Sequence, residues 1–189
     1  PNIIEYKRSY LNKEEGLFIV IRELADKPLQ SEITYISKSK AISYFIQIME
    51  ALRYLHDNLK IPYGNLKMNN ILLKQGVVKL SDIGEDKNIW GSKMLTLSIN
   101  RRSLDTKIYL PPEVINGQNN NEKSDIWAAG IIFHLMLSRG KHPFEIKGNK
   151  NEADIVENVT KGNAKFDKSI IESNYLSILE SNCLFQNML

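Results

Sequence analysis

The stretch from Tyr63 to Gly84 constrains this chain more than any other. A polar loop, Tyr63-Gly64-Asn65-Leu66-Lys67-Met68-Asn69-Asn70, runs into Ile71-Leu72-Leu73, then Lys74-Gln75-Gly76, then Val77-Val78-Lys79-Leu80, and ends on Ser81-Asp82-Ile83-Gly84. Two short apolar runs about a glycine-bearing turn predict a tight β-hairpin that closes on an acidic residue before a flexible glycine. The Asn70 amide and the Asp82 carboxylate are then expected at opposite ends of one hairpin. Two oxygen ligands so placed can share a magnesium ion, a hard cation that takes carboxylate and carbonyl oxygens and draws its other ligands from phosphates and water.

Along the chain, Y-G-N-L-K-M-N-N at 63–70 is followed by D-I-G at 82–84, by P-P-E at 111–113, and by Asp125-Ile126-Trp127 with Gly130. In that order they resemble the catalytic loop H-R-D-L-x-x-x-N, the magnesium-binding D-F-G and the A-P-E of protein kinases. The last group is similar to the D-x-W-x-x-G that opens the large central helix of that family. The resemblance covers almost the whole chain. It implies an α+β, protein kinase-like fold, mainly an α-helical carboxy-terminal lobe with a remnant of the amino-terminal lobe's β-sheet. Residues 1–25 would be the end of the small lobe and the hinge, and residues 26–189 the large lobe, truncated before its last helix. ATP and Mg2+ would be the cofactors, and a protein substrate or regulated partner the target.

Composition narrows the remaining classes. With 189 residues and 42% apolar content, the chain can bury the core of one domain but hardly two. A net charge of +3, spread along the sequence, gives no nucleic-acid surface. The single cysteine, Cys183, excludes an internal disulfide and fits a reducing, cytoplasmic compartment. No apolar run reaches the roughly 18–20 residues that span a bilayer, and no signal peptide opens the sequence.

In chain order, residues 2–10 and 17–21 predict two strands joined by the charged turn Asn12-Lys13-Glu14-Glu15-Gly16. The family resemblance makes Glu23-Leu24-Ala25 the hinge that meets an adenine edge, preceded by Arg22 as one residue more than the pattern holds, with Leu72 on the other side of the nucleotide. It also implies a glycine-rich loop, a phosphate-pairing lysine and its glutamate partner ahead of Pro1. From Ser39 to Leu59 the apolar positions Ile42, Phe45, Ile48, Met49, Leu52 and Leu55 predict a helix with one buried face, ended before Pro62. His56 near its end suits a capping or surface role.

Residues 85–106 lack a sustained period and carry the composition of a mobile loop, in the place of the activation segment. Asp105-Thr106-Lys107-Ile108-Tyr109-Leu110-Pro111-Pro112-Glu113 is similar to the end of that segment, which implies that Thr106 and Tyr109 line the substrate-docking floor and that Glu113 is its anchor. The arginine that pairs with this glutamate in the family would come just after Leu189. Ser124 is expected to cap the next helix, which runs through Trp127, Ile131, Ile132, Leu135 and Met136 to Gly140 and, apolar on nearly every side, is a buried one. The resemblance gives Asp125 the task of holding the catalytic loop by its backbone amides, makes His134 a core histidine, and makes Lys141-His142-Pro143-Phe144 structural packing. Short helices over 151–159 and 169–185 complete the reading.

The substitutions within the motifs bear on mechanism. Phosphoryl transfer rests on positioning and charge neutralisation, with the catalytic-loop aspartate accepting the attacking hydroxyl's proton. That position is Asn65, whose amide orients a hydroxyl but takes up no proton at neutral pH. Loss of a positioned base costs about 10²–10⁴ in rate. Gly64 replaces the neighbouring arginine that would read a phosphorylated activation segment, and Tyr63 replaces the histidine as an aromatic that packs in the core. Lys67, Asn70 and Asp82 persist. The reading is a pseudokinase-like lobe, binding nucleotide weakly or conditionally and acting by shape on a partner. Its rivals are an active, unorthodox Ser/Thr kinase that recruits Glu85 or Asp86, and a regulatory lobe of a kinase–ribonuclease fusion similar to ribonuclease L or the unfolded-protein sensor. The last rival is a plain helical interaction module.

Overall fold

The computed structural model describes residues 1–83, 104–145 and 151–164. Its two longest helices, α1 (Lys38–Arg53) and α4 (Glu122–Leu137), pack on each other and on a small sheet. Ile48, Leu52, Val78 and Ile132 meet there with 0% exposure. Each such aliphatic side chain contributes about 1.5–3 kcal/mol by leaving water. Phe45 of α1 stacks on Phe133 of α4 at 4.2 Å between ring centroids, which fixes the crossing.

α1 starts because the Ser37 side chain accepts the Lys40 amide. The regular helix ends at Arg53, six residues before the limit read from the apolar spacing, and continues as a π turn over Tyr54–Leu59 that stops on a left-handed Lys60. Wider i→i+5 bonding shifts the phase of the helix end. His56 is thereby turned into the protein rather than onto its surface, which corrects the capping role expected of it. α4 is capped by Asn121 rather than Ser124: the Asn121 side chain accepts the Lys123 and Ser124 amides, and the Ser124 hydroxyl accepts the Asn121 amide in a reciprocal box.

There are two small sheets, and the second lies against α1. β1 (Tyr6–Asn12) and β2 (Leu17–Arg22) form an antiparallel ribbon. Residues 2–5, expected within the first strand, run instead beside the second sheet, where Ile4 donates to the Leu80 carbonyl and Leu80 to that of Asn2. The second sheet has the order β3 (Lys27–Pro28), β4 (Ile71–Lys74), β5 (Val77–Leu80), antiparallel throughout. Its hairpin turn is two residues rather than three, since Lys74 pairs with Val77. Gln75 and Gly76 both have positive φ, the geometry that matches the twist of the flanking strands.

Short helices α2 (Leu104–Lys107) and α3 (Pro112–Ile115) follow, so Leu104–Thr106 form a helical turn where the composition suggested open loop. α5 (Glu152–Thr160) starts with Asn151 as its cap. Of the loop expected over 85–106, the part up to residue 103, with Glu85 and Asp86, lies outside the described residues, as does the helix over 169–185. No helix among the described residues is long and apolar enough to cross a membrane.

His142 locks the turn after α4. The Phe144 amide donates to its Nδ1 at 3.3 Å, so Nε2 carries the proton and donates to the Ile108 carbonyl at 3.1 Å. Burial pushes its pKa down from 6.5 to about 4. Between those values the unfolded chain takes up a proton that the folded chain refuses. Stability is therefore full above about pH 6.5 and falls by about 3 kcal/mol as pH drops toward 4. Urea unfolding of the protein and of His142→Gln at pH 7.5 and 4.5 checks this: the variant should lack that part of the acid loss, and equal slopes would refute it.

Candidate active site

The loop after α1 is anchored from below by one carboxylate. Asp125, in the first turn of α4 and 2% exposed, accepts the Tyr63 amide at 2.7 Å and the Gly64 amide at 2.9 Å, and lies 2.8 Å from His56 Nε2. Gly64 has φ +82, which a side chain rarely adopts, and its carbonyl accepts the Asn120 amide at 2.8 Å. Tyr63 is fully buried and donates its hydroxyl to the Ser81 carbonyl. Downstream the loop closes on itself, where Asn70 Nδ2 donates to the Asn65 carbonyl at 2.9 Å. The backbone around Asn65 is thus held at both ends by contacts that do not use its side chain.

Hairpin register sets the next pair. Ile71 pairs with Leu80, and the Ser81 amide donates to the Asn70 carbonyl at 2.9 Å. Asn70 and Asp82 therefore flank the open end of the hairpin side by side, not its opposite ends. Period-two pairing dictates this, because residues equidistant from the turn face each other. Asp82 has φ +57, a left-handed conformation that aspartate tolerates. One of its oxygens accepts the Ser81 hydroxyl at 2.8 Å and the other meets the Arg22 guanidinium.

Both are hard oxygen donors of the kind magnesium takes. As arranged, the Asp82 carboxylate already meets a permanent cation, Arg22, whose charge opposes a metal ion at the same group. Among the described residues no cluster of three or more His, Cys, Asp or Glu side chains forms a metal centre.

The residues expected at the hinge share one opening. Glu23, Ala25 and Leu72 line a cleft of about 560 Å³ together with Arg22 and Val20. The Glu23 side chain points away from any ligand role: 6% exposed, it binds Lys74 Nζ at 2.6 Å and Lys79 Nζ at 3.0 Å. It also accepts the Glu5 amide, while its own amide donates to the Glu5 carbonyl at 2.8 Å. The Lys74 hydrogen bond, helped by the Glu5 amide and Lys79, holds its pKa down at about 2. Such a depressed carboxyl adds stability that is complete above about pH 4.5 and disappears as pH falls toward 2. Its partner Lys74 is 37% exposed, so solvent screening trims the effect to about 1 kcal/mol. Melting curves at pH 5 and pH 3 should show Glu23→Gln losing less over that interval than the parent, and an identical loss would refute the assignment.

Lys67 turns from the loop toward the segment ahead of α3. Its Nζ donates to Thr106 Oγ1 at 2.9 Å and lies 3.2 Å from an Asp105 carboxylate oxygen. Tyr109 is buried, bonded to the Met68 backbone, and its phenol is pushed up to about 12 by loss of solvent. Thr106 and Tyr109 thus contact the 63–70 loop from one side. Glu113 sits apart in the first turn of α3, where negative charge suits the helix dipole, and among the described residues its carboxylate makes no ion pair. A second cleft, about 380 Å³, opens between Lys67, Tyr109 and α5 and bears the carboxylates of Asp105, Glu145 and Glu152.

Sequence reasoning missed Arg22 and His56 as partners of the two key carboxylates. Nothing local marks either, because their partners lie 60 and 69 residues away. Asn120 left a faint signal, a polar loop of asparagines ahead of α4.

Comparison with known proteins agrees with this arrangement. The protein kinase domain profile matches residues 1–188. Serine/threonine-protein kinase Nek1 of Mus musculus is 34% identical over 158 residues, 80% of this chain and 12% of that protein. Striated muscle preferentially expressed protein kinase of Danio rerio is 35% identical over 135 residues, 70% of this chain and 4% of that protein. Aurora kinase of Patiria pectinifera is 28% identical over 169 residues, 86% of this chain and 39% of that protein. The chain spans between 4% and 39% of the length of these relatives. With the profile running over residues 1–188, across an α+β fold whose 63–70 loop hangs from a buried aspartate, the chain belongs to the protein kinase domain family.

Proposed function

We propose that this chain is the greater part of a pseudokinase domain, which retains a nucleotide cleft and the scaffold around it, has lost or weakened phosphoryl transfer, and regulates a protein partner by its shape. One observation carries the reading: the loop that presents the proton acceptor in this family is fully braced by Asp125, Asn70 and Asn120, yet the residue it presents is Asn65. An amide there orients a hydroxyl without accepting its proton. The carboxylate nearest the loop through Lys67, that of Asp105, is already bonded to that lysine. The cleft lined by Glu23, Ala25 and Leu72 supports nucleotide binding, weak or conditional, and the acidic cleft beside Lys67 offers a surface for a protein partner. Relatives described as serine/threonine kinases and an Aurora kinase place the ancestry of the fold among protein kinases.

The direct test is transfer of labelled phosphate from ATP with Mg2+ by the whole protein, to itself and to generic Ser/Thr substrates. No transfer above the uncatalysed background is expected. Robust transfer overturns the reading, and its loss in Asp105→Asn would move the base to that residue.

A further inference from the structure

We propose that Arg22 is a tethered cation standing at Asp82 in place of a metal ion, so that nucleotide entering the adjacent cleft binds without divalent metal. The inference rests on the reading of that cleft as a nucleotide site. Arg22 is the last residue of β2, and its guanidinium reaches across to Asp82 at the end of β5, 60 residues on. The pair is partly exposed, with the Arg22 side chain 41% and the Asp82 side chain 20% exposed. Arg22 also lines the 560 Å³ cleft, so its charge is within reach of an anionic group bound there.

Three features make it an exclusion device rather than an incidental surface pair. A guanidinium never loses its proton in a protein, so the charge cannot be switched off. The other Asp82 oxygen lies 2.8 Å from the Ser81 hydroxyl, which is also 3.1 Å from the Asn70 carbonyl. Among the described residues, Glu23, next to Arg22 in the chain, is matched by Lys74 and Lys79, and Asp105 by Lys67. A divalent cation approaching Asp82 thus meets a fixed positive charge within contact distance. A polyanionic phosphate chain meets the opposite: Arg22 can neutralise it directly, the task that magnesium performs elsewhere.

Manganese titrated into the full chain and followed by its paramagnetic resonance reads the site directly, since bound and free ions differ in signal. Arg22→Gln is expected to bind Mn2+ at least about tenfold more tightly than the parent, by removal of a like charge at contact range, and the gain should vanish in Arg22→Gln/Asp82→Asn. Arg22→Met repeats the test without a polar side chain. In parallel, ADP affinity of the unmodified chain should agree within about twofold between Mg2+ and EDTA, a difference too small to carry a metal bridge. Equal Mn2+ affinity in parent and Arg22 variants, or a tenfold fall of ADP affinity in EDTA, overturns the proposal. If no variant binds ADP under either condition, the nucleotide reading of the cleft fails while the Mn2+ comparison still decides the role of Arg22. Should both Arg22 variants fail to fold, the EDTA comparison on the unmodified chain decides it.

Discussion

Replacing Asn65 by aspartate is expected to raise phosphate transfer by the whole protein by about 10²-fold or more, the scale of a positioned general base. The exchange is nearly isosteric, and the loop around it does not depend on the side chain being replaced. Asp125 holds the Tyr63 and Gly64 amides, and Asn70 holds the Asn65 carbonyl rather than its amide group. A carboxylate installed at 65 therefore inherits a loop already shaped for it. The measurement is labelled transfer under identical conditions for parent and Asn65→Asp, with Asn65→Ala as a control that should stay at the parent's level. A gain confined to Asn65→Asp identifies the missing proton acceptor as the defect. No gain would mean that a second defect dominates, and Arg22 at Asp82 names it: the gain should then emerge in Asn65→Asp/Arg22→Gln. Failure of the double variant as well would refute the account of what the site lacks.

How much of this was readable in the sequence follows from the range of the interactions. The hairpin over 71–80 was legible because apolar runs and a Gln75-Gly76 turn are local signals, and so was α1, whose buried face repeats at helical spacing. The two-residue turn, the π turn at Tyr54–Leu59 and the capping of α4 by Asn121 were not, since each shifts a boundary by a few residues where caps and tertiary packing compete. Within the site, motif order led to Asn65, Lys67, Asn70, Asp82 and Asp125, and the fold brings these around one loop and one hairpin end. What stayed hidden was charge matching. Arg22 looked like a surplus residue ahead of the hinge, and His56 like a helix cap, because a sequence does not display which carboxylate a distant side chain will meet.

Asp125→Ala is expected to destabilise the fold by about 3–5 kcal/mol, as buried donors lose their acceptor together. The carboxylate serves the Tyr63 and Gly64 amides with separate oxygens and lies within hydrogen-bond distance of His56. Alanine fills none of these needs, and at 2% exposure water has little access to replace it. Asp125→Asn should cost less, since its carbonyl oxygen still accepts one amide while its NH2 group is forced against another donor. Urea denaturation gives the ranking parent, Asn, Ala in order of falling midpoint. An Ala variant within about 1 kcal/mol of the parent would show that the loop is held by its other contacts, the Tyr63 hydroxyl on Ser81 and Asn120 on the Gly64 carbonyl. The consequence reaches function, because these amides fix where residue 65 stands: in Asp125→Ala, adding Asn65→Asp should no longer raise transfer, whereas a gain that survives would separate the anchor from the chemistry.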